Sequence, residues 1–399
     1  MNEPEPSVSS SPGGLYVHTP FCESKCGYCD FYSVALKDRE TQPLVERIIR
    51  EMRSRVPASG LRIRTVFCGG GTPTLLPLDD LTALLRAINA AVDVPALEEF
   101  TVEANPATVD DTKTTLLIDH GVTRVSMGAQ SFFPAELTTL ERLHSPDDIP
   151  ESVATLRRGG VSNINLDLIF GIPGQTLETW SQSLQRAMDL NTEHISCYGL
   201  TYEPRTRLTA LKVGGRLTPC DENLEAEMFE YTVDCLAAAG YRQYETSNYA
   251  RPGYECRHNL IYWRNQPFIG VGPSAAGCYG GTRYKNISDI AGFIHLMDKQ
   301  GHAKVETEVV DQTMLMMEMV MMQLRLAEGL SCADFHGRCG VDPLTLFRTS
   351  LSRLGALGLL DVSDDRIALT RQGRLLSDGI IAELATQCGG GPIALPVIQ

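Results

Sequence analysis

Short apolar runs alternate with helical patterns through the first half of the chain, and this alternation limits the folds that are open to it. Six runs read as strands, and glycine-rich or polar turns followed by helical patterns separate them; the runs are residues 15–17, 65–67, 99–102, 124–127, 164–169 and 194–198. Strands that alternate with helices pair in parallel through right-handed crossovers. The sequence therefore predicts an α/β fold, either an open doubly wound sheet or a partial barrel, and spacing alone does not choose between them.

The rest of the chain divides by composition into further segments. A segment rich in Tyr, Asn, Arg and Gly, with weak periodicity of its apolar residues, follows the alternating region. A helical pattern comes next and leads into two strand-like runs at 360–362 and 366–369. Helices followed by a β-hairpin predict a winged-helix-like module. The predicted segments are a disordered tail at 1–13, a core at 14–245, an irregular segment at 246–305, a winged-helix-like domain at 306–386 and a tail at 387–399.

Charge and hydropathy narrow the class of protein. The 399 residues carry a net charge of −14, whereas proteins that bind nucleic acid need a basic surface to contact phosphates. We therefore expect no nucleic-acid partner. No secretory pattern is found at the start, and no apolar run approaches the roughly 20 residues of a membrane span. A cytoplasmic protein that is not an integral membrane protein is the expectation.

Three of the twelve cysteines are clustered directly after the first predicted strand. Cys22, Cys26 and Cys29 have C-x3-C-x2-C spacing, and such short gaps let one loop place each thiolate on a different iron of an iron–sulfur cluster. Three protein ligands leave one iron open to a small molecule, as reductive cleavage of S-adenosylmethionine requires. A zinc knuckle is the alternative, but zinc needs a fourth ligand and His18 is the only suitable neighbour.

Polar and glycine residues follow several of the later predicted strands. Gly70, Gly71 and Thr72 follow the second strand, Glu103 follows the third and Gln130 the fourth, while Asp167 lies near the end of the fifth strand. Carboxyl ends of parallel strands are the places where α/β folds bind ligands. The sequence therefore predicts one pocket that these residues share with the cysteine loop.

Together these motifs resemble the oxygen-independent coproporphyrinogen III oxidase family of radical S-adenosylmethionine (radical SAM) proteins. The resemblance extends from Leu15 through the C-terminal module, and it rests on the cysteine motif, the segments 69–73, 101–106 and 128–131, and the segment 165–175. It implies a partial (β/α)6 barrel with a C-terminal helical, winged-helix-like domain, and it implies a [4Fe–4S] cluster and S-adenosylmethionine as cofactors. By resemblance, the S-adenosylmethionine site comprises Tyr16, Tyr28, Gly70, Gly71, Thr72, Glu103, Gln130, Arg142, Asp167 and Thr201.

The family has two branches, and two features of this chain distinguish them. The oxidases of the family resemble this chain but have a fourth cysteine two positions after the third, where this chain has Phe31, and they have a longer N-terminal segment. Both departures match the sister group, which consists of heme chaperones. That resemblance implies heme binding, delivery to hemoproteins such as respiratory enzymes, contact with a membrane surface, and a homodimer. The alternative is the oxidase itself, a coproporphyrinogen III dehydrogenase.

The motif His-Asn-x-x-Tyr-Trp at 258–263 belongs to the same resemblance and supplies a candidate heme ligand. Imidazole is a good axial ligand for heme iron, and aromatic rings pack on a porphyrin face. His258 is thus the predicted ligand, with Cys256 as its competitor. The alternative for His258 is a hydrogen-bonded histidine within a folded loop.

Two further patterns are interpreted as packing. Six methionines lie between residues 314 and 322 on one predicted helix, where flexible thioethers fill an irregular core. Cys332, His336 and Cys339 have helical spacing without a clear fourth metal ligand. We interpret both groups as packed helix faces.

Overall fold

The computed structural model describes residues 11–389. Its strands, numbered in chain order, are β1 (Pro12–Thr19), β2 (Phe21–Cys22), β3 (Val34–Ala35), β4 (Arg62–Gly70), β5 (Glu99–Ala104), β6 (Arg124–Gln130), β7 (Asn163–Phe170), β8 (His194–Gly199), β9 (Arg242–Gln243), β10 (Asn248–Ala250), β11 (Phe268–Val271), β12 (Ala276–Tyr279), β13 (Thr282–Asn286), β14 (Lys304–Val309), β15 (Leu330–Ser331), β16 (Leu360–Val362) and β17 (Arg366–Leu369).

The helices are numbered in the same way. They are α1 (Gln42–Ser59), α2 (Leu78–Ala91), α3 (Asp111–Asp119), α4 (Pro134–Thr139), α5 (Asp148–Arg158), α6 (Leu177–Asp189), α7 (Arg207–Val213), α8 (Glu222–Ala238), α9 (Arg257–Trp263), α10 (Ile290–Gln300), α11 (Gln312–Gln323), α12 (Cys332–Cys339), α13 (Pro343–Leu346), α14 (Arg348–Ala356), α15 (Arg371–Leu375) and α16 (Ser377–Thr386).

The main sheet has the six predicted parallel strands as neighbours, in the order β1-β4-β5-β6-β7-β8. Every pair among them is parallel, with Tyr16 opposite Phe67 and Asp167 opposite Ser196. The second neighbour of β1 is β11, which pairs with it in parallel, so β1 does not close on β8. The sheet is therefore an open, partial (β/α)6 barrel, which confirms the predicted fold.

Burial explains why these segments form strands and helices. All seven residues of β6 are buried, as expected for a parallel strand covered on both faces. The helix that follows β7 begins at a capping box, in which Thr176 and Thr179 exchange side-chain and backbone hydrogen bonds. Its Trp180 is fully buried, and the indole N–H donates to Thr232 Oγ1 at 2.9 Å. This helix thus covers the sheet with an apolar face.

The segment predicted to be irregular, 246–305, is instead regular over much of its length. It contains α9 and α10, together with β11, β12 and β13. These strands extend the main sheet beyond β1, with β11 parallel to β1 and antiparallel pairs from β11 to β12 and from β12 to β13. These strands are short and rich in glycine and tyrosine, so their period-2 pattern is weak in the sequence. Pro12 and Gly13, predicted to lie in a disordered tail, belong to β1. The remainder of both predicted tails lies almost entirely outside the described residues.

Contacts divide the chain into two units. Of the described residues, the first unit comprises 11–232, 256–258 and 267–308, and the second comprises 233–255, 259–266 and 309–389. Each predicted domain is one continuous range of residues. In the structure, by contrast, the two segments 233–255 and 259–266 group with the C-terminal helices.

The second unit has a core of its own. Helices α11 to α16 pack with a small antiparallel sheet in the order β15-β17-β16, as in a winged-helix-like module. Met319 and Met321 are buried in that core, and so are Cys332 and Cys339, as expected for packed helix faces; His336, predicted to lie on the same packed face, is instead exposed. Within residues 11–389, no helix has the length and apolar character needed to cross a membrane.

Candidate functional site

The three clustered cysteines lie on the loop that follows β1, at the carboxyl end of the parallel strands. All three are half-buried and free of disulfide bonds. The loop is held at both ends by backbone hydrogen bonds, from Val34 N to Pro20 O and from Leu36 N to Cys22 O, both at 2.8 Å. The short strands β2 and β3 pair across its base. The chain thus closes a compact thiol-bearing loop above the barrel.

Glycines after β4 let a second loop approach this one closely. Gly71 N donates to Thr19 O at 2.9 Å, and Thr72 N donates to Phe21 O at 2.7 Å. A Cβ atom at Gly71 would lie 2.6 Å from the carbonyl oxygens of Thr19 and Phe21, which no side chain tolerates. These two N–H groups therefore hold the cysteine loop in place, a role that the sequence did not predict for them.

The chemistry of the donor set fits an iron–sulfur cluster. Burial raises the pKa of Cys22, and burial raises the pKa of Cys29 to about 11, so that thiolates here need a positive partner. Three thiolates on one short loop can each bind a separate iron of such a cluster.

Arg142 connects the cysteine loop to the neighbouring strand ends. Its Nη1 lies 3.6 Å from Cys26 Sγ, and its Nη2 donates to Asn105 Oδ1 at 2.6 Å and to Gly128 O at 2.7 Å. Asn105 in turn donates to Thr72 Oγ1 at 2.8 Å, and Thr72 Oγ1 lies 3.9 Å from Cys22 Sγ. Asn105 is not among the residues predicted from the sequence, although it stands only two residues after Glu103.

Two carboxyl groups lie below the loop in the barrel. Glu103 Oε2 accepts a hydrogen bond from Gly70 N at 2.8 Å, and Asp167 accepts from Asn165 Nδ2 at 2.8 Å and from Ser126 Oγ at 3.2 Å. Burial, together with the charge of Asp167, raises the pKa of Glu103 to about 8 against the opposing effects of the Gly70 N–H and Arg124. Burial also raises the pKa of Asp167. Such a pair favours a ligand that brings positive charge.

The other residues predicted to bind S-adenosylmethionine lie around this pair. Gln130 ends β6 with a φ of +64°, beside a bulge between Gly128 and Gln130. Tyr28 packs against an apolar cluster that includes Ile169 and Leu200. Thr201 is exposed beyond β8, and its hydroxyl donates to Gly199 O at 3.4 Å. Its hydrogen bond is thus to its own loop and not to another of the predicted site residues.

His258, the predicted heme ligand, lies inside the barrel. It is 0% exposed; its Nδ1 lies 2.7 Å from Thr65 Oγ1, and its backbone N–H donates to Glu99 Oε1 at 3.1 Å. Burial lowers its pKa to about 3, so the imidazole is neutral at pH 7, as an iron ligand must be. Cys256 is equally buried, with Sγ 3.4 Å from Glu99 Oε1. A heme could reach either residue only after the surrounding chain opens, and the assignment stays a prediction.

A series of ring contacts connects His258 to the base of the cysteine loop. Ring centroids are 5.4 Å apart for His258 and Phe67, 6.2 Å apart for Phe67 and Tyr16, and 5.8 Å apart for Tyr16 and His18. The Tyr16 hydroxyl lies 2.9 Å from His18 Nδ1, and His18 Nε2 lies 2.9 Å from Tyr32 O. The predicted heme ligand and the cluster loop are thus linked through the barrel interior.

Comparison with known proteins places this site within a family. Residues 16–187 match the Radical SAM superfamily model, and residues 310–376 match the HemN C-terminal domain model. The solved structure of coproporphyrinogen III oxidase (HemN) from Escherichia coli, a radical SAM enzyme, is 22% identical and has a TM-score of 0.81. The match covers 95% of this chain and 92% of that one, and it supports the fold.

Several curated relatives that resemble the chain over nearly its full length are named heme chaperone HemW. Heme chaperone HemW of Bacillus subtilis is 36% identical over 367 residues, covering 92% of this chain and 97% of the relative. Heme chaperone HemW of Escherichia coli is 35% identical over 383 residues, covering 94% and 98%. The chain belongs to the HemW family of radical SAM proteins.

Proposed function

We propose that this protein is a heme chaperone, which binds heme and delivers it to hemoproteins and is built on a radical SAM core. The observation that carries this conclusion is the match to proteins named heme chaperone HemW over 97% and 98% of their lengths, which includes both the cysteine loop and the C-terminal unit. Phe31 occupies the position of the oxidases' fourth cysteine, and it is exposed on the same loop.

Cys22, Cys26 and Cys29 would hold the [4Fe–4S] cluster. When bound, such a cluster supplies one electron at a time and an open iron that a small molecule can chelate. The Arg142 guanidinium lies against Cys26 Sγ, where it stabilises the negative charge of a thiolate. Thr72 adds a hydroxyl near Cys22 Sγ. The protein thus supplies fixed donors that support the charge of the cluster's thiolates.

S-adenosylmethionine would bind above the two carboxyl groups, where Glu103 and Asp167 face its positive charge. We propose that Gln130 and the backbone of Gly70 to Thr72 orient its polar groups, and that Tyr28 provides an apolar wall for the adenine. Tyr16 lies on β1 beside Phe67 and His18, which fixes the position of its ring. Thr201 would line the outer rim of the pocket.

His258 would ligate the heme iron through its neutral imidazole. Because the ring is buried, uptake of heme requires α9 and its surroundings to open first, so that binding is coupled to a conformational change. We propose that the recipients are respiratory hemoproteins, that the chaperone meets them at a membrane surface, and that it acts as a homodimer.

One experiment tests the cofactor and the cargo together. Protein purified anaerobically is expected to contain four irons and four sulfides per chain, as one cluster requires, and to bind one heme per chain. Cys29→Ser should lose most of the iron, while Cys220→Ser, a half-buried cysteine outside the loop, should retain it. Zinc in place of iron, or no heme binding by the wild type, would refute the proposal. Conversion of coproporphyrinogen III under the same conditions would support the oxidase alternative.

A further inference from the structure

The last strand of the main sheet, β14, has side chains exposed on both of its faces. All six residues from Lys304 to Val309 are exposed, including Val305 at 51% and Val309 at 73%. The strand stands at the end of the sheet, beside β13. An edge strand presents a row of backbone N–H and C=O groups that can pair with another strand.

The contacts of β14 with β13 determine which backbone groups point outward. Ile287 N donates to Ala303 O at 3.0 Å, and Arg283 pairs with Glu308 at 3.3 Å, so the two strands run antiparallel. Backbone groups alternate in direction along a strand, and those of Ala303 point toward β13. The N–H and C=O groups of Lys304, Glu306 and Glu308 therefore point away from the sheet.

Charge selects one register for pairing of this edge with a second copy of the same strand. In a two-fold antiparallel pair, registers centred on Lys304, Glu306 or Thr307 place like charges opposite each other, which destabilises strand pairs. The register centred on Val305 instead places Lys304 opposite Glu306 of the second copy, twice by symmetry. In this register the backbone N–H and C=O groups of Lys304 bond to those of Glu306 in the second copy, in agreement with the outward direction of both residues' backbone groups.

We propose that β14 is a homodimer interface, in which the edges of two copies pair antiparallel with Val305 opposite Val305. The two sheets then continue across the two-fold axis, and the valine side chains meet on one face while two Lys304–Glu306 pairs form on the other. This inference gives the homodimer proposed above a specific surface, and it does not depend on where heme binds. A strand pair of this length buries little area, so the dimer is concentration-dependent.

Sedimentation velocity over a series of concentrations tests the interface on anaerobically reconstituted protein. Wild type is expected to shift from monomer to dimer as concentration rises. Lys304→Glu places four glutamates in opposed pairs and should weaken dimerisation by about tenfold or more. The double variant Lys304→Glu/Glu306→Lys exchanges the charges and should restore dimerisation.

Matched controls separate a loss of this interface from damage to the fold. Lys299→Glu makes the same charge change on the exposed end of α10 and should dimerise like the wild type. Iron content and heme stoichiometry, measured on every variant, show whether the fold and the cargo site are intact. A wild type that stays monomeric would overturn the proposal, and so would a Lys304→Glu variant that dimerises normally or a double variant that is not rescued. In each of these cases, protein that still binds one heme per chain would continue to support the chaperone function.

Discussion

The hydroxyl oxygen of Thr65 lies 2.7 Å from Nδ1 of His258, and it fixes the imidazole inside the barrel. With Nδ1 engaged, Nε2 is the nitrogen that would bind iron. We predict that His258→Ala weakens heme binding at least about tenfold, because the axial ligand is lost. The measurement is a hemin titration followed at the Soret band, with iron and sulfide quantified on the same samples.

A matched variant distinguishes ligation from damage to the barrel interior. Thr65→Val removes the hydrogen bond to Nδ1 at nearly constant volume and keeps the imidazole, so heme stoichiometry should be preserved. If both variants lose heme equally, the effect of His258→Ala is structural. If His258→Ala retains full affinity, the ligand assignment is wrong, and Cys256→Ser is the next variant to titrate.

The raised pKa of Glu103 predicts that affinity for S-adenosylmethionine depends on pH. In the folded protein this pKa is about 8, against 4.5 in an unfolded chain, so the carboxyl group is mostly protonated at pH 7. Its contribution to stability is therefore complete below pH 4.5 and is lost as pH rises through 8. The positive charge of S-adenosylmethionine favours the carboxylate and lowers this pKa, so binding releases a proton.

Affinity should consequently rise between about pH 6.5 and 8, by at most about tenfold per pH unit, and then level off. Equilibrium dialysis with radiolabelled S-adenosylmethionine under anaerobic conditions measures it. Glu103→Gln cannot ionise, so its binding should be weaker and nearly independent of pH over this range. A variant that keeps the wild-type pH profile would show that another group takes up the proton.

Arg142 should determine how well the cluster is retained. Arg142→Gln loses the guanidinium contact with Cys26 Sγ and cannot span Asn105 and Gly128 O together. We expect a lower iron content after reconstitution, faster bleaching of the cluster absorbance in air, and weaker binding of S-adenosylmethionine. Arg158→Gln is the control, because its ion pair with Asp111 is exposed and should contribute little. Equal iron retention in the two variants would contradict the role of Arg142.

The grouping of the predicted site residues at one end of the barrel could be predicted from the sequence because these residues follow the ends of parallel strands. Once the strands are recognised, topology alone brings Glu103, Asp167 and the cysteine loop to the same end of the barrel. The reason why residue 71 must be glycine was harder to predict from the sequence. The sequence suggested a ligand contact there, but the close approach is to the carbonyl oxygens of Thr19 and Phe21.

The remaining features depend on contacts between residues distant in the chain. The burial of His258 comes from Thr65 and Phe67 on β4, nearly two hundred residues earlier, and a local motif contains no information about such neighbours. The strands β11 to β13 were missed because each is short, and each is stabilised by pairing with a neighbour, β11 with β1, β12 with β11 and β13 with β12, rather than by intrinsic propensity. The network around Asn105 was missed for the same reason.

Glu51 on α1 connects those added strands to the barrel, and it supports a prediction on stability. It is 1% exposed, pairs with Arg55 at 2.7 Å, and accepts from Gly272 N at 2.8 Å and from Asn286 Nδ2 at 2.9 Å. Gly272 lies so close to the cysteine loop's base that a Cβ atom there would be 2.4 Å from His18 O. Glu51 therefore helps to position the segment against which that base packs.

Glu51→Ala leaves Arg55 buried without its carboxylate and should lower the free energy of unfolding by about 3–5 kcal/mol. Arg47→Ala, which breaks a more exposed ion pair between α1 and Asp298 of α10, should lower it by about 1 kcal/mol or less. Urea unfolding followed by far-UV circular dichroism compares the two variants. Because the network borders His18, Glu51→Ala should also lose iron more readily than Arg47→Ala; equal stability and equal iron retention would show that the network contributes no more than a surface ion pair.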